Sequence, residues 1–339
     1  MVSLAIKYRP KKLEDVVGQY SIVKILSKQI QLREFKNCYL FCGSSGCGKT
    51  TCARILANEI NNHVGSPIEI DAASNNGVDK IKDLVKSANE RSLDSEYKIY
   101  IIDEAHALTI QSWQAFLKCI EEPPAYTIFI FCTTEKNKVP DTIKNRCQVF
   151  NFNRITPTDI ERRLIEICSN EGLSNYNESC NYISKISKGQ MRDAVSNLEK
   201  CISYSSDLSL DNVISALGDY SYINFIKLFN ALLDGNEAEI YNIIESTYSS
   251  GSDLKLYINE VLNFCIDLSK YNLFKSCSAT RIPVAYEEDI KRLVLFENSN
   301  QYYNYYLSKL LELKNMLKTD NNPLSTIEVI LCKMSRLEK

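Results

Sequence analysis

The chain has 339 residues, of which 45% are hydrophobic and 24% charged. This is long enough for two or three domains with cores of their own, and no apolar run approaches the ~18 residues that a membrane helix needs. Forty Lys and Arg against 42 Asp and Glu leave a formal net charge of −2, so no global basic field exists and a nucleic-acid contact would need a local patch or several chains.

The opening Met-Val-Ser-Leu-Ala-Ile-Lys-Tyr-Arg-Pro lacks the long apolar stretch of a signal peptide or membrane anchor. From there to residue 153, short β-like runs alternate with helical stretches. Strands are expected at 38–42, 68–71, 98–103, 127–133 and 148–152, with helices at 22–32, 78–91 and 111–120 between them. Such alternation predicts an α/β domain built on a mostly parallel sheet. From about Arg154 the β-like runs stop, and amphipathic helices are expected at 158–170, 177–187, 191–204 and 223–233, with more towards the end. Boundaries near Arg154 and Gly218-Asp219 divide the chain into 1–153, 154–218 and 219–339.

Within the first part, Gly43-Ser44-Ser45-Gly46-Cys47-Gly48-Lys49-Thr50 lies between the apolar Tyr39-Leu40-Phe41 and the helix-like Ala53-Arg54-Ile55-Leu56-Ala57. Glycines let the backbone wrap a phosphate chain so that several N–H groups and a helix N-terminus face it. The spacing, closed by Lys-Thr, is that of a P-loop, whereas glycine-rich turns that bind nothing have no need of it. A nucleoside triphosphate is the expected ligand, with Lys49 reaching its β/γ-phosphates, Thr50 meeting Mg2+ and Thr51 next among the contacts.

Further on, Ile99-Tyr100-Ile101-Ile102-Asp103-Glu104 is an apolar strand ending in two carboxylates. Alone, such a run is as often a strand entering an acidic turn. After a P-loop it reads as a Walker B strand, in which Asp103 holds Mg2+ directly or through water and Glu104 polarises the water that attacks the γ-phosphate. The run Ile128-Phe129-Ile130-Phe131-Cys132 ends in Thr133-Thr134. If it lies between the other two strands, Thr134 can help position that water; otherwise it is a β-branched strand end. Arg146, in Asn145-Arg146-Cys147, and Arg192, in Gly189-Gln190-Met191-Arg192-Asp193, are each either a solvated surface residue or a cationic partner of the transferring γ-phosphate.

The 13 cysteines are scattered and form no Cys-x-x-Cys pair, so reduced, mostly buried thiols of a cytosolic protein are expected. The tyrosine-rich Tyr302-Tyr303-Asn304-Tyr305-Tyr306 is expected to pack on a helix face rather than stack on bases.

Together these pieces resemble the AAA+ clamp-loader ATPases, most closely the bacterial gamma/tau type. The resemblance rests on Ala5-Ile6-Lys7-Tyr8-Arg9-Pro10 with Val16-Val17-Gly18-Gln19, the P-loop, Ile70-Asp71-Ala72-Ala73-Ser74-Asn75-Asn76-Gly77 and Ile102-Asp103-Glu104-Ala105-His106. It continues through Phe116-Leu117-Lys118-Cys119-Ile120-Glu121-Glu122-Pro123-Pro124, Thr133-Thr134-Glu135 with Lys138-Val139-Pro140, Asn145-Arg146-Cys147 and Gly189-Gln190-Met191-Arg192-Asp193-Ala194. It implies an α/β P-loop AAA+ ATPase domain with a parallel sheet, a helical lid domain and an all-helical collar domain. It sets Tyr8, Arg9 and Val17 beside adenine, Thr134 at sensor 1 and Arg192 at sensor 2. Arg146 becomes an arginine finger that completes the ATP site of a neighbouring subunit.

The resemblance also implies that the helix after Asn75-Asn76-Gly77 follows the phosphates of primer-template DNA. Lys82 and Lys86 fall on one face of it, as they would on an ordinary solvated face. Two departures stand out. The four-cysteine zinc module usual in gamma/tau proteins is replaced by Asn61-Asn62-His63-Val64-Gly65-Ser66-Pro67, so ATP and Mg2+ are expected but no zinc, and the usual Ser-Arg-Cys reads Asn-Arg-Cys. No tau-like extension is expected either. The implied function is ATP-driven opening of a sliding clamp and its placement on primer-template DNA, within a ring-like oligomer of loader subunits. The setting would be the cytoplasm of a bacterium or of a phage-infected bacterial cell. Two rivals are a nucleotide-binding scaffold subunit, against which the full set Lys49, Thr50, Asp103, Glu104 and Arg192 speaks, and another AAA+ DNA-processing motor. Against a branch-migration motor stands the lack of a strand pair for a winged DNA-binding domain in the helical tail.

Overall fold

The computed structural model describes residues 3–75, 77–218, 222–296 and 298–336; Asn76 and Asp219, both named above, lie outside the described residues. In chain order the first elements are α1 (Leu4–Lys7), α2 (Tyr20–Leu32), β1 (Cys38–Gly43), α3 (Lys49–Ile60), β2 (Ile68–Asp71), α4 (Val78–Ala88), β3 (Lys98–Asp103), α5 (Ile110–Glu121), β4 (Thr127–Thr133), α6 (Asp141–Lys144) and β5 (Gln148–Phe152). Helices follow: α7 (Pro157–Asn170), α8 (Asn177–Ile186), α9 (Met191–Tyr204), α10 (Leu210–Leu217), α11 (Tyr222–Asp234), α12 (Glu237–Ser249), α13 (Leu254–Phe274), α14 (Glu287–Val294), α15 (Ser299–Met316) and α16 (Pro323–Ser335). Helix α4 stops three residues short of the expected end, where the Asn89 side-chain amide donates to the Val85 carbonyl at 3.0 Å. Among the described residues no helix is long and apolar enough to cross a membrane.

The chain separates into two compact units. One runs through Gly172 and takes in Ile183–Glu199; the other comprises Leu173–Tyr182 and the chain from Lys200 onwards.

In the first unit the five strands form one parallel sheet in the order β2-β3-β4-β1-β5. Strands β1, β3 and β4 are buried on both faces, which is why they read as unbroken apolar runs rather than alternating ones. Odd and even residues serve different layers. Tyr39, Phe41, Ile99, Ile101 and Ile130 pack with Cys52, Ala53, Leu56 and Ile60 of α3, while Leu40, Ile102, Phe129 and Phe131 pack with Ile81 of α4 and Trp113 and Phe116 of α5. Helix starts follow local signals: the Thr109 hydroxyl accepts from the Ser112 N–H at 3.1 Å to cap α5, and Thr156 followed by Pro157 caps α7. The carboxyl ends of β1, β3 and β4 therefore lie side by side, on the edge where open α/β sheets present ligand sites.

The second unit is helical. Its core is aromatic, with Phe225, Phe229, Phe264, Tyr303 and Tyr306 in ring contacts at centroid distances from 5.4 to 6.3 Å. Of the tyrosine-rich segment, Tyr302, Tyr303 and Tyr306 are buried on α15, and the Tyr303 hydroxyl donates to the Leu293 carbonyl at 2.7 Å. Asp267, only 2% exposed, accepts from the Arg281 guanidinium at 2.9 Å, with Glu260 at 3.5 Å from the same group.

The cysteines correct one expectation. Cys38 and Cys147 are joined as a disulfide rather than held as free thiols, while eleven others are free and buried. The cause is register: β1 and β5 pair in parallel with Tyr39 opposite Gln148, so the residues just before them, Cys38 and Cys147, face each other with Cα atoms 4.7 Å apart.

Candidate nucleotide site

The loop between β1 and α3 is shaped by its glycines. A Cβ on Gly43 would stand 2.4 Å from the Phe152 carbonyl oxygen, so only glycine lets β1 leave the sheet so close to β5. Gly46, at φ 66°, takes the left-handed turn that brings the loop tip against Gln190, and its carbonyl accepts from the Met191 N–H at 3.0 Å. The loop tip is thus bonded to the start of α9, one residue before Arg192. From behind, the buried Gln19 side-chain amide donates to the Cys47 carbonyl at 3.3 Å and the Asn153 carbonyl at 2.8 Å, tying the loop to the end of β5. Cys47 is buried in the turn, its thiol donating to the Ser44 carbonyl at 2.9 Å, and burial pushes that thiol above its ordinary range.

Lys49 opens α3 and folds back, its ammonium donating to the Gly43 and Ser44 carbonyls at 2.9 and 2.8 Å. The Thr50 hydroxyl donates to Asp103 Oδ2 at 2.7 Å, so two hard oxygen ligands, one from the start of α3 and one from the end of β3, meet at one point. Asp103 Oδ1 accepts from the Glu104 N–H at 2.9 Å. Glu104 itself sits at φ 49°, a left-handed conformation that a side-chain-bearing residue rarely takes. Strand β4 does lie between β3 and β1. At its end the Thr134 hydroxyl stands 3.5 Å from His106 Nδ1.

A cavity of about 350 Å³ opens over these groups, entirely within the first unit. Tyr8, Arg9 and Val17 line one side; Ser45, Gly46, Cys47, Gly48, Lys49, Thr50 and Thr51 form its floor with Asp103 and Glu104, and Arg192 closes it from α9. Gly43 and Ser44 do not line it but hold Lys49 through their carbonyls. Thr134 and Arg146 are also absent from the lining. Arg146 is held elsewhere, 2.7 Å from Glu121 and donating to the Thr142 carbonyl at 2.7 Å.

Sequence reasoning passed over three contributors. Arg54 lines the cavity and pairs with Glu69 at 2.6 Å; its place one helical turn beyond Thr50 is a signal that could have found it. Arg163 of α7 also lines the cavity and donates to the Tyr8 carbonyl at 3.0 Å, which no spacing reveals. Gln19, in the Val16-Val17-Gly18-Gln19 stretch, braces the loop from behind, which the motif alone does not reveal. The cavity is strongly cationic. The Arg9 guanidinium is held below the usual arginine range, first by burial and then by repulsion from Arg54 and Arg192, with Glu69 opposing. A polyphosphate would relieve that repulsion.

This arrangement, a P-loop after β1 of a 2-3-4-1-5 parallel sheet with an acidic pair two strands away on β3 and a helical segment bearing an arginine over the loop, is the fold of the AAA+ class of P-loop proteins. Among solved structures, RuvB of Thermotoga maritima, described as a Holliday junction branch migration motor, superposes with a TM-score of 0.53 at 19% identity, covering 73% of this chain and 86% of that one. The relatives are more specific. The DNA polymerase III subunit tau of Bacillus subtilis is 33% identical over 353 aligned residues, and the gamma/tau subunit of Mycoplasma genitalium 33% over 336, covering 96% and 90% of this chain. Residues 66–156 match the family described as DNA polymerase III, delta subunit. The chain thus has an AAA+-type fold and is similar in sequence to gamma/tau subunits of bacterial DNA polymerase III, spanning 62% and 56% of the lengths of those two relatives.

Proposed function

We propose that the chain is an ATPase subunit of a replication clamp loader, binding and hydrolysing ATP to open a sliding clamp and leave it on primer-template DNA. The observation that carries the reading is the convergence of Lys49, Thr50, Asp103, Glu104 and Arg192 on one cationic cavity, in a chain whose relatives are gamma/tau subunits. On this reading 1–153 is the ATPase domain, 154–218 the lid and 219–339 the collar that assembles the loader.

The residues divide the work. Tyr8, Arg9 and Val17 border the base. The loop N–H groups from Ser45 to Thr51 and the Lys49 ammonium hold the phosphates, Lys49 exchanging its two carbonyl partners for phosphate oxygens. Thr50 and Asp103, 2.7 Å apart, fit a single Mg2+, which would neutralise the β- and γ-phosphate oxygens. Glu104 polarises the attacking water with help from Thr134. Arg192 meets the γ-phosphate from above.

Arg146 lies outside its own chain's cavity, paired with Glu121, which suits a finger that serves a neighbouring subunit's ATP. Partners would then be other loader subunits in a ring-like oligomer, the clamp and primed DNA, in the bacterial cytoplasm. Lys82 and Lys86 are exposed on α4 and fit a role along the DNA phosphates.

Steady-state ATP hydrolysis with and without primer-template DNA, for the wild type, Glu104→Gln and Arg146→Ala, tests the reading. Stimulation by primed DNA that both substitutions abolish is the expected result. A wild type that binds ATP but is inert with DNA and with added loader subunits would overturn the motor in favour of a scaffold.

A further inference from the structure

Directly after Glu104, a single turn of 3-10 helix over Ala105–Ala107 carries His106, whose side chain is 18% exposed. Both nitrogens of the ring have work. Nδ1 lies 3.3 Å from Glu104 Oε2, 3.4 Å from the Thr133 hydroxyl and 3.5 Å from the Thr134 hydroxyl. Nε2 lies 3.5 Å from Glu135 Oε1. Glu135 in turn pairs with Lys138 at 2.9 Å, and its N–H donates to the Thr133 hydroxyl at 3.0 Å.

Glu104 lies against this ring. Its left-handed backbone fixes the direction in which the side chain leaves the strand, and its Oε2 is buried without any hydrogen bond. The imidazole Nδ1 comes within 3.3 Å of it. One ring therefore spans the ends of β3 and β4, touching on one side the carboxylate that must face the attacking water and on the other the Thr134-Glu135 turn.

We propose that His106 is the positioning residue for Glu104: its Nδ1 sets where the carboxylate points, and its Nε2 contact with Glu135 makes that setting depend on the end of β4. The proposal rests on the ATPase reading for its catalytic consequence, though not for the contact itself. The segment after Glu135 runs through Lys136 and Lys138 to Arg146, so a partner or DNA strand that displaced Glu135 would act on Glu104 through the ring.

Two measurements test this and separate its failure from that of the ATPase reading. In the hydrolysis assay, His106→Ala should lower kcat by about 100-fold, as for misplacement of a reacting group by roughly 1 Å, while KM for ATP changes less than twofold. His106→Asn, whose amide nitrogen takes the place of Nδ1, should recover most of the loss, and His106→Gln, which reaches only towards Nε2, little of it. Wild-type or faster turnover in His106→Ala, or equal rescue by Gln and Asn, would overturn the proposal.

The second measurement needs no turnover. The chain has two histidines, and His63 is a surface residue with its side chain 62% exposed, so His63→Gln leaves one imidazole to observe. In 15N-histidine spectra of that protein, Glu104→Gln should shift the Nδ1 resonance and Glu135→Gln the Nε2 resonance. If neither moves, the ring does not bridge the two strands and the proposal falls, whatever the fate of the ATPase reading.

Discussion

The loop end of the sheet and the aromatic core of the helical unit both set a few polar contacts in apolar surroundings, yet they use them for opposite ends. Around Lys49, Thr50, Asp103 and Glu104 the polar groups point into an open cavity and partly at one another, with Lys49 on its own loop's carbonyls and Glu104 in a left-handed backbone. Around Phe229 and Tyr303, buried polar groups are turned inward to fixed partners: Asp267 to Arg281, the Tyr303 hydroxyl to the Leu293 carbonyl. The first region leaves its polar groups facing open space, whereas the second pairs them internally. Substitutions should therefore separate cleanly, altering chemistry without stability in one region and stability without chemistry in the other.

The largest effect is expected at Glu104. Glu104→Gln preserves size and leaves Thr50, Asp103 and Lys49 untouched, so a fluorescent ATP analogue should bind as before. Hydrolysis should fall by roughly 100- to 10,000-fold, the usual reach of a positioned general base. Denaturation midpoints should not move. A fall in nucleotide affinity equal to the fall in rate would mean that Glu104 serves binding, and the contrast between the regions would blur.

Next is Asp267→Ala, the reverse case. Removing the carboxylate leaves the Arg281 guanidinium beside Glu260 at 3.5 Å but without its buried partner. Burial lowers the pKa of Arg281, but the charge and hydrogen bond of Asp267 together with the charge of Glu260 outweigh it, so the net direction is upward. Loss of such a pair costs about 3 kcal/mol. Chemical denaturation followed by circular dichroism should show it, with nucleotide affinity unchanged.

A smaller effect belongs to Arg192. Its guanidinium shares the cavity with Arg9 and Arg54, and a charge-assisted contact to phosphate contributes about 1.5 kcal/mol, or roughly tenfold in affinity. Arg192→Ala should weaken MgATP binding by that factor in titrations at low salt. The difference from wild type should narrow as salt rises, because exposed charges are screened. An unchanged affinity at every salt would place Arg192 away from the phosphates.

The same contrast explains what could be read from the sequence. The positions of β1, β3 and β4 were legible to within a residue because strands buried on both faces are unbroken apolar runs bounded by turns. The P-loop and the Asp103-Glu104 tip were legible because phosphate and Mg2+ demand particular residue types at fixed spacing. What escaped depended on three-dimensional register. Arg163 reaches the cavity only because α7 lies over Tyr8, and Cys38 meets Cys147 only because β1 pairs with β5. In the helical unit the pattern gave helices and little more, since period 3.6 says which face is buried and not against what. Asp267 reads as an ordinary helical acid until Arg281 is found beside it.

The smallest effect is expected between two tyrosines of α15. Tyr303 and Tyr305 are neighbours on α15, alike in composition and indistinguishable as members of a tyrosine-rich run. Tyr303 is 1% exposed with its hydroxyl on the Leu293 carbonyl, and burial pushes that hydroxyl's pKa far above the ordinary tyrosine range; Tyr305 is only half-buried. Tyr303→Phe removes one buried donor and leaves the Leu293 carbonyl unpaired, which costs about 1 kcal/mol, whereas Tyr305→Phe should stay within about 0.5 kcal/mol of wild type. Paired urea titrations of the two variants decide the matter. Equal effects would mean that the aromatic core is held by ring packing alone, and that its inward polar contacts contribute no more than the surface does.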